Sequence, residues 1–258
     1  MTMPGRPFVW YELMTTDAAA AQAFYKAVFG WEMRDAGMPG MQYTLLANEG
    51  LDLGGLFSMT GHDCGEDAHP CWFGYIGSPD LEADVRRVTE AGGQVHKAPT
   101  DIPGVGRFAV VADPHGAVFE LFQPNEPLPT APPMTPGRVA WHELHAGDGA
   151  ADWEFYAKLF GWTIEQDLDM GPNGVYRVFQ VNGTGAGGMM TRTPGMPVPM
   201  WMYYVAVKDI DATMVRANAA GGKLLMGPHE VPGGAWIAQY LDPQGAMFAM
   251  VGGRGGSC

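Results

Sequence analysis

One stretch of this chain is written twice. Residues 24–31 read Phe-Tyr-Lys-Ala-Val-Phe-Gly-Trp, and residues 155–162 read Phe-Tyr-Ala-Lys-Leu-Phe-Gly-Trp. Upstream, Trp10-Tyr11-Glu12-Leu13 matches Trp141-His142-Glu143-Leu144 at the same offset of 131. Downstream, Ala91-Gly92-Gly93 matches Ala220-Gly221-Gly222, and Asp113-Pro114-His115-Gly116-Ala117 matches Asp242-Pro243-Gln244-Gly245-Ala246, both at an offset of 129. A repeat that holds register across half a chain implies two copies of one fold. We expect an N-terminal domain at 1–126, a linker at 127–137 and a C-terminal domain at 138–258. Pro127, Pro129, Pro132, Pro133 and Pro136 make that linker stiff.

Each half divides again. An alternating strand over Phe8 to Met14 is followed by Asp17 as helix N-cap, a helix over Ala18–Phe29 with Phe24 and Val28 on one face, and Gly30 as its stop. Extended runs follow at Gln42–Ala47 and Leu53–Met59. The order then recurs, with a strand at Trp72–Ile76 and a helix at Leu81–Ala91 ended by Gly92-Gly93. Strands Arg107–Ala112 and Ala117–Phe122 flank the turn Asp113-Pro114-His115-Gly116. The module is strand–helix–strand–strand–strand, four times over, an α+β arrangement.

An Asp-capped helix with Ala-x-x-Phe-Tyr-x-x-x-Phe-Gly-Trp, followed later by Asp-Pro-x-Gly-x-x-x-Glu-Leu (Asp113 to Leu121), resembles the vicinal oxygen chelate superfamily. That group includes glyoxalases, bleomycin-binding resistance proteins and extradiol dioxygenases. The resemblance covers about residues 8–124 and 139–251. It implies four βαβββ modules forming two cup domains in tandem, with ligands bound inside the cups.

The resemblance also implies where a divalent cation would be held, on the first and last strands of each module. The first-strand position lies seven residues before each capping Asp. Those positions hold Trp10, Phe73, Trp141 and Met202, none of them a usual ligand. The last-strand position is Glu120 in the first half and Ala249 in the second. One carboxylate is too few for a catalytic cation. The expectation is therefore no cofactor and no standard metal site, with a nonstandard divalent site as the alternative.

Strand alternation, with the face taken from the resemblance, puts Trp10, Glu12, Met14, Phe73, Tyr75, Val118, Glu120 and Phe122 in the first cup. The second receives Trp141, Glu143, His145, Met202, Tyr204, Met247, Ala249 and Val251. From these we select Trp10, Phe73, Tyr75, Phe122, Trp141, Glu143, His145, Met202 and Tyr204 as ligand-binding candidates. Glu120 and Glu12 are the acid–base candidates. An inward carboxylate is costly unless paired or hydrated, which gives Glu120 a function, a partner such as Arg107, or a rim position in water. Glu143 and His145 stand two apart on one strand face, as a base and an orienting group would. The aromatics alternatively serve as packing, and His145 as a hydrogen-bonded interior histidine.

Other motifs carry less. His62-x-Cys64 and His69-x-Cys71 lack the Cys-x2–4-Cys spacing of structural zinc sites. Gly54-Gly55 and Gly185-x-Gly187-Gly188 do not sit between a strand and a helix as phosphate loops do, and bend strands instead. No Gly-x-Ser-x-Gly elbow occurs.

Charge limits the partners. The chain has 28 acidic and 15 basic residues, with 17 acidic and 7 basic of them in residues 1–129. Such a chain repels phosphates, so nucleic acid is not expected as a partner. No apolar run approaches the roughly 20 residues that cross a bilayer, and residues 1–7 lack a secretory apolar core. Three cysteines make no disulfide framework. The expectation is a cytoplasmic monomer or homodimer that meets no membrane. Its partner would be an apolar or aromatic small molecule, which it binds or sequesters. The alternative is a lyase, isomerase or dioxygenase of glyoxalase type that uses Glu120.

Overall fold

The computed structural model describes residues 4–38, 41–59 and 68–255. The first module is β1 (Phe8–Thr15), α1 (Ala18–Phe29), β2 (Glu32–Asp35), β3 (Tyr43–Asn48) and β4 (Leu51–Ser58). The second is β5 (Cys71–Gly77), α2 (Leu81–Glu90), β6 (Gln94–Ile102), β7 (Gly106–Ala112) and β8 (Val118–Pro124). The third is β9 (Val139–Ala146), α3 (Gly149–Phe160), β10 (Thr163–Asp169), β11 (Val175–Val181) and β12 (Thr184–Thr191). The fourth is β13 (Met200–Val207), α4 (Ile210–Ala219), β14 (Lys223–Glu230), β15 (Trp236–Leu241) and β16 (Met247–Gly252). All four modules are βαβββ, in two tandem domains.

The strands form two eight-stranded sheets, ordered β2-β3-β4-β1-β5-β8-β7-β6 and β10-β11-β12-β9-β13-β16-β15-β14. The sequence reading passes over β2 and β6, and the order shows why. Both are edge strands, and most of their residues are solvent-exposed, so they carry no apolar alternation.

All four helices begin on an aspartate. Asp17, Asp80, Asp148 and Asp209 each have extended backbone and accept an N–H from the first turn. Gly30 and Gly161 close α1 and α3 in the left-handed region, at φ 75° and 67°.

Two compact units emerge, each drawn from three stretches. One takes the described residues of Met1–Trp10, Gly74–Leu128 and His142–Met202; the other takes those of Tyr11–Phe73, Pro129–Trp141 and Tyr203–Cys258. The first unit thus joins most of the second module to most of the third, and the second joins most of the first to most of the fourth.

The repeated motifs hold each unit together. In the second unit, the Tyr25 hydroxyl donates to Asp242 Oδ2 at 3.0 Å and accepts from Trp72 Nε1 at 2.9 Å. Trp31 Nε1 donates to the Gly137 carbonyl at 2.7 Å. In the first unit, the Tyr156 hydroxyl donates to Asp113 Oδ2 at 3.2 Å and accepts from Trp201 Nε1 at 3.0 Å. Trp162 Nε1 donates to the Arg6 carbonyl at 2.8 Å. The Phe-Tyr helix of one module therefore bonds to the Asp-Pro turn of a module in the other repeat. Around Tyr25, residues Leu13, Phe24, Val28, Trp31, Leu56, Met214 and Phe248 form a core.

Candidate functional site

Odd-numbered residues of β1 and β13, among them Leu13 and Val205, enter that core against α1 and α4. Even-numbered residues face away from it, as strand alternation requires. The candidate residues of those strands lie on that second face.

In the first unit, β5 runs parallel to β8 with Tyr75 beside Glu120, and β7 runs antiparallel to β8 with Val110 beside Glu120 and Phe108 beside Phe122. Tyr75, Glu120, Phe122 and Phe108 therefore share one face. The Tyr75 ring stands edge-on to Phe122 at 6.0 Å and 6.4 Å from Phe108. Glu120 is buried, with 4% of its surface exposed. Arg107, the partner considered from sequence, pairs instead with Glu82 and Asp101. Its strand position directs it away from the Glu120 face. Lys97 Nζ lies 4.8 Å above the Phe108 ring.

The third module builds a second cluster in the same unit. Glu143 pairs in register with Gly188 and His145 with Met190. The Tyr176 hydroxyl donates to Glu143 Oε2 at 3.1 Å. His145 Nε2 stands 3.0 Å from Glu143 Oε1. That contact is not aligned as a hydrogen bond. Gly188 makes room for the tyrosine, since a Cβ there would stand 2.0 Å from Tyr176 Cζ.

The second unit repeats part of this cluster. Glu12 pairs in register with Gly55, and a Cβ on Gly55 would stand 1.9 Å from the Tyr43 hydroxyl. Tyr43 and Tyr176, like Gly55 and Gly188, are 133 residues apart. Sequence reasoning passed over both tyrosines. The matched glycine pairs were the available signal. Met14 occupies the position equivalent to His145.

On β13 and β16, Tyr204 lies beside Ala249, and Gln239 of β15 pairs with Ala249 from the other side. Gln239 Nε2 donates to the Tyr204 hydroxyl at 2.7 Å. Tyr204 and Tyr75 are equivalent positions, as are Ala249 and Glu120, and Gln239 and Val110. The polar group of the fourth module thus stands one strand over from the Glu120 position and is uncharged. Met202 is buried, whereas Trp10, Phe73 and Trp141 are half-buried, as are Glu12, Val118 and Met247.

Two further ionisable groups lie outside these clusters. His142, buried, stacks on Phe8 at 4.3 Å and donates from Nδ1 to the Ala186 carbonyl at 2.6 Å. Burial lowers its pKa to about 4. Asp113 is pushed up to about 6, first by burial and then by the charge of Asp152. Asp152 in turn accepts from His115 Nδ1 at 2.7 Å. A cleft of about 340 Å³ lies between Phe29, Asn48, Pro136 and Arg216, and none of the candidate residues lines it.

No group of three or more His, Cys, Asp or Glu side chains converges among the described residues. Of the cation positions implied by the resemblance, four hold indole, phenyl or thioether groups and one holds Ala249; Glu120 is the one carboxylate among them, too few to fit a catalytic divalent ion. His62 and Cys64, like Cys258, lie outside the described residues; Cys71 is half-buried at the start of β5. Among the described residues, no helix is long and apolar enough to cross a membrane.

The model of the "Glyoxalase/Bleomycin resistance protein/Dioxygenase superfamily" matches residues 8–121 and 138–250. A "Putative glyoxylase CFP32" of Mycobacterium tuberculosis is 34% identical over 246 residues, covering 94% of this chain and 93% of the relative. The "Anthracycline biosynthesis protein DnrV" of Streptomyces peucetius is 33% identical over 264 residues, covering 96% and 93%. Among solved structures, the Mn(II)-bound glyoxalase from Novosphingobium aromaticivorans superposes with a TM-score of 0.64 at 17% identity, over 97% of this chain and 82% of that one. The dioxygenase LapB from Pseudomonas sp. KL28 gives 0.65 at 12% identity, over 98% and 94%. With two matched copies of its model covering most of the sequence, this chain belongs to the glyoxalase/bleomycin resistance protein/dioxygenase superfamily.

Proposed function

We propose that this protein binds a planar aromatic small molecule on its aromatic strand faces, without a divalent cation. The observation that carries this reading is Glu120. It is a buried carboxylate on the same face as Tyr75, Phe108 and Phe122. Three rings offer stacking and edge contacts to a flat ligand, and the carboxylate offers one oriented acceptor. The name of the Streptomyces relative, an anthracycline biosynthesis protein, supports the same ligand class.

Tryptophan-fluorescence titration with 2-hydroxyanthraquinone tests this. Saturable quenching is expected, weakened about tenfold by Glu120→Gln, on the scale of one hydrogen bond to a charged group. Absence of saturable binding contradicts it.

A second reading is a lyase, isomerase or dioxygenase in which Glu120 moves a proton. The names of the mycobacterial relatives favour it. It requires a ligand that leaves chemically changed, which mass analysis after incubation detects. Recovery of unaltered ligand from a saturated protein favours binding alone.

A further inference from the structure

The two copies of the Tyr–Glu–Gly arrangement differ at one position. The N-terminal copy has Met14 where the C-terminal copy has His145. A thioether offers only weak polar contact, whereas an imidazole nitrogen donates or accepts strongly. The duplication therefore leaves one copy apolar at this place and the other polar.

In the C-terminal copy, Glu143 Oε2 is engaged by the Tyr176 hydroxyl at 3.1 Å, which fixes the carboxylate. Its Oε1 faces His145 Nε2 at 3.0 Å. That nitrogen is buried and has no aligned hydrogen-bond partner among the described residues. A buried polar atom left in that state is destabilising, and an added group of the right chemistry recovers the loss. Both side chains keep 11% of their surface open.

We infer that Glu143, His145 and Tyr176 form a binding station for a hydroxyl group on the aromatic ligand. A hydroxyl is the smallest group that donates to a carboxylate oxygen and accepts from an imidazole N–H at once. Tyr176 acts as a positioning residue that holds the carboxylate, and Gly188 leaves the space that lets it do so. A bare ring or a methyl ether supplies no donor to Glu143 Oε1 and is disfavoured. The station thus selects hydroxylated over unsubstituted or O-methylated ligands. Selection among planar aromatics rests on the function proposed above.

The test compares 2-hydroxyanthraquinone with 2-methoxyanthraquinone by tryptophan quenching. Wild-type protein is expected to prefer the hydroxyl compound by about 10- to 100-fold, the range of a hydrogen bond to a charged group. His145→Met copies the residue of the N-terminal repeat and is expected to cut that preference while the methyl ether binds as before. His145→Gln, which restores a donor, is expected to recover part of it. Glu143→Gln is expected to remove most of it. Equal wild-type affinity for the two compounds overturns the inference, as does a preference that survives both His145→Met and Glu143→Gln. Either result leaves aromatic binding standing. Failure of both compounds to bind overturns the underlying reading as well.

Discussion

Tyr176 and Glu143 meet across a glycine. The tyrosine hydroxyl is 3.1 Å from Glu143 Oε2, and the ring lies over Gly188, the register partner of Glu143. Tyr43 lies over Gly55, the register partner of Glu12, in the same way. The repeat has preserved a three-residue arrangement that its linear motifs do not display.

That contact makes Gly188 sensitive. A methyl group there would stand 2.0 Å from Tyr176 Cζ and 2.1 Å from its hydroxyl. Gly188→Ala is expected to displace the ring, break the bond to Glu143 and lower stability by about 1–3 kcal/mol, the usual cost of overpacking. Urea denaturation measures the loss. An unchanged midpoint would show that the ring moves aside freely.

The tyrosine of each Phe-Tyr motif holds a unit together. Tyr25→Phe removes the donor to Asp242 and the acceptor for the Trp72 N–H; Tyr156→Phe does the same to Asp113 and Trp201. Each substitution strands buried polar groups and is expected to cost about 1–3 kcal/mol. Calorimetric melting of the two variants checks this, and an effect near zero at both would remove these bonds from the account.

Asp113 gives the fold a pH dependence of its own. The carboxyl normally titrates at 3.8 and here at about 6, so between those values the folded protein holds a proton that the unfolded chain has released. Its contribution is full below pH 3.8 and fades as pH rises through about 6, by on the order of 2–3 kcal/mol. Asp113→Asn is expected to gain stability relative to wild type over that rise. Urea midpoints between pH 4 and 8 decide it, and a constant difference would rule it out.

His142 pulls the opposite way. Its imidazole normally titrates at 6.5 and here at about 4, so the unfolded chain takes up a proton that the fold refuses. The contribution is full above pH 6.5 and fades as pH falls through about 4, by on the order of 3 kcal/mol. His142→Gln, which keeps a donor for the Ala186 carbonyl, is expected to gain on wild type as pH falls. A difference that stays flat from pH 7 to 4 would contradict the burial argument.

Much of the fold was legible because its local signals are strong. The helix at Ala18–Phe29 has a side-chain cap at Asp17 and a left-handed stop at Gly30, and it was read residue for residue. The edge strands β2 and β6 were not, since exposed polar strands lack alternation. The Glu143–His145 contact follows from two residues on one strand face and needs no tertiary information. Tyr176 was hidden because its place over Gly188 depends on the β11–β12 register, which no local pattern encodes. The pairing of Tyr25 with Asp242 was equally hidden, since it joins residues 217 positions apart. Alignment of the halves marks Ala249 as a lost carboxylate, but the sheet reveals Gln239 beside it, bonded to Tyr204.

Aromatic binding by this protein is expected to need no cation. The most direct measurement is the affinity for 2-hydroxyanthraquinone after exhaustive dialysis against EDTA, repeated after adding Mn(II). The same dissociation constant in both conditions is expected. Binding that appears only once the cation is added would contradict the account.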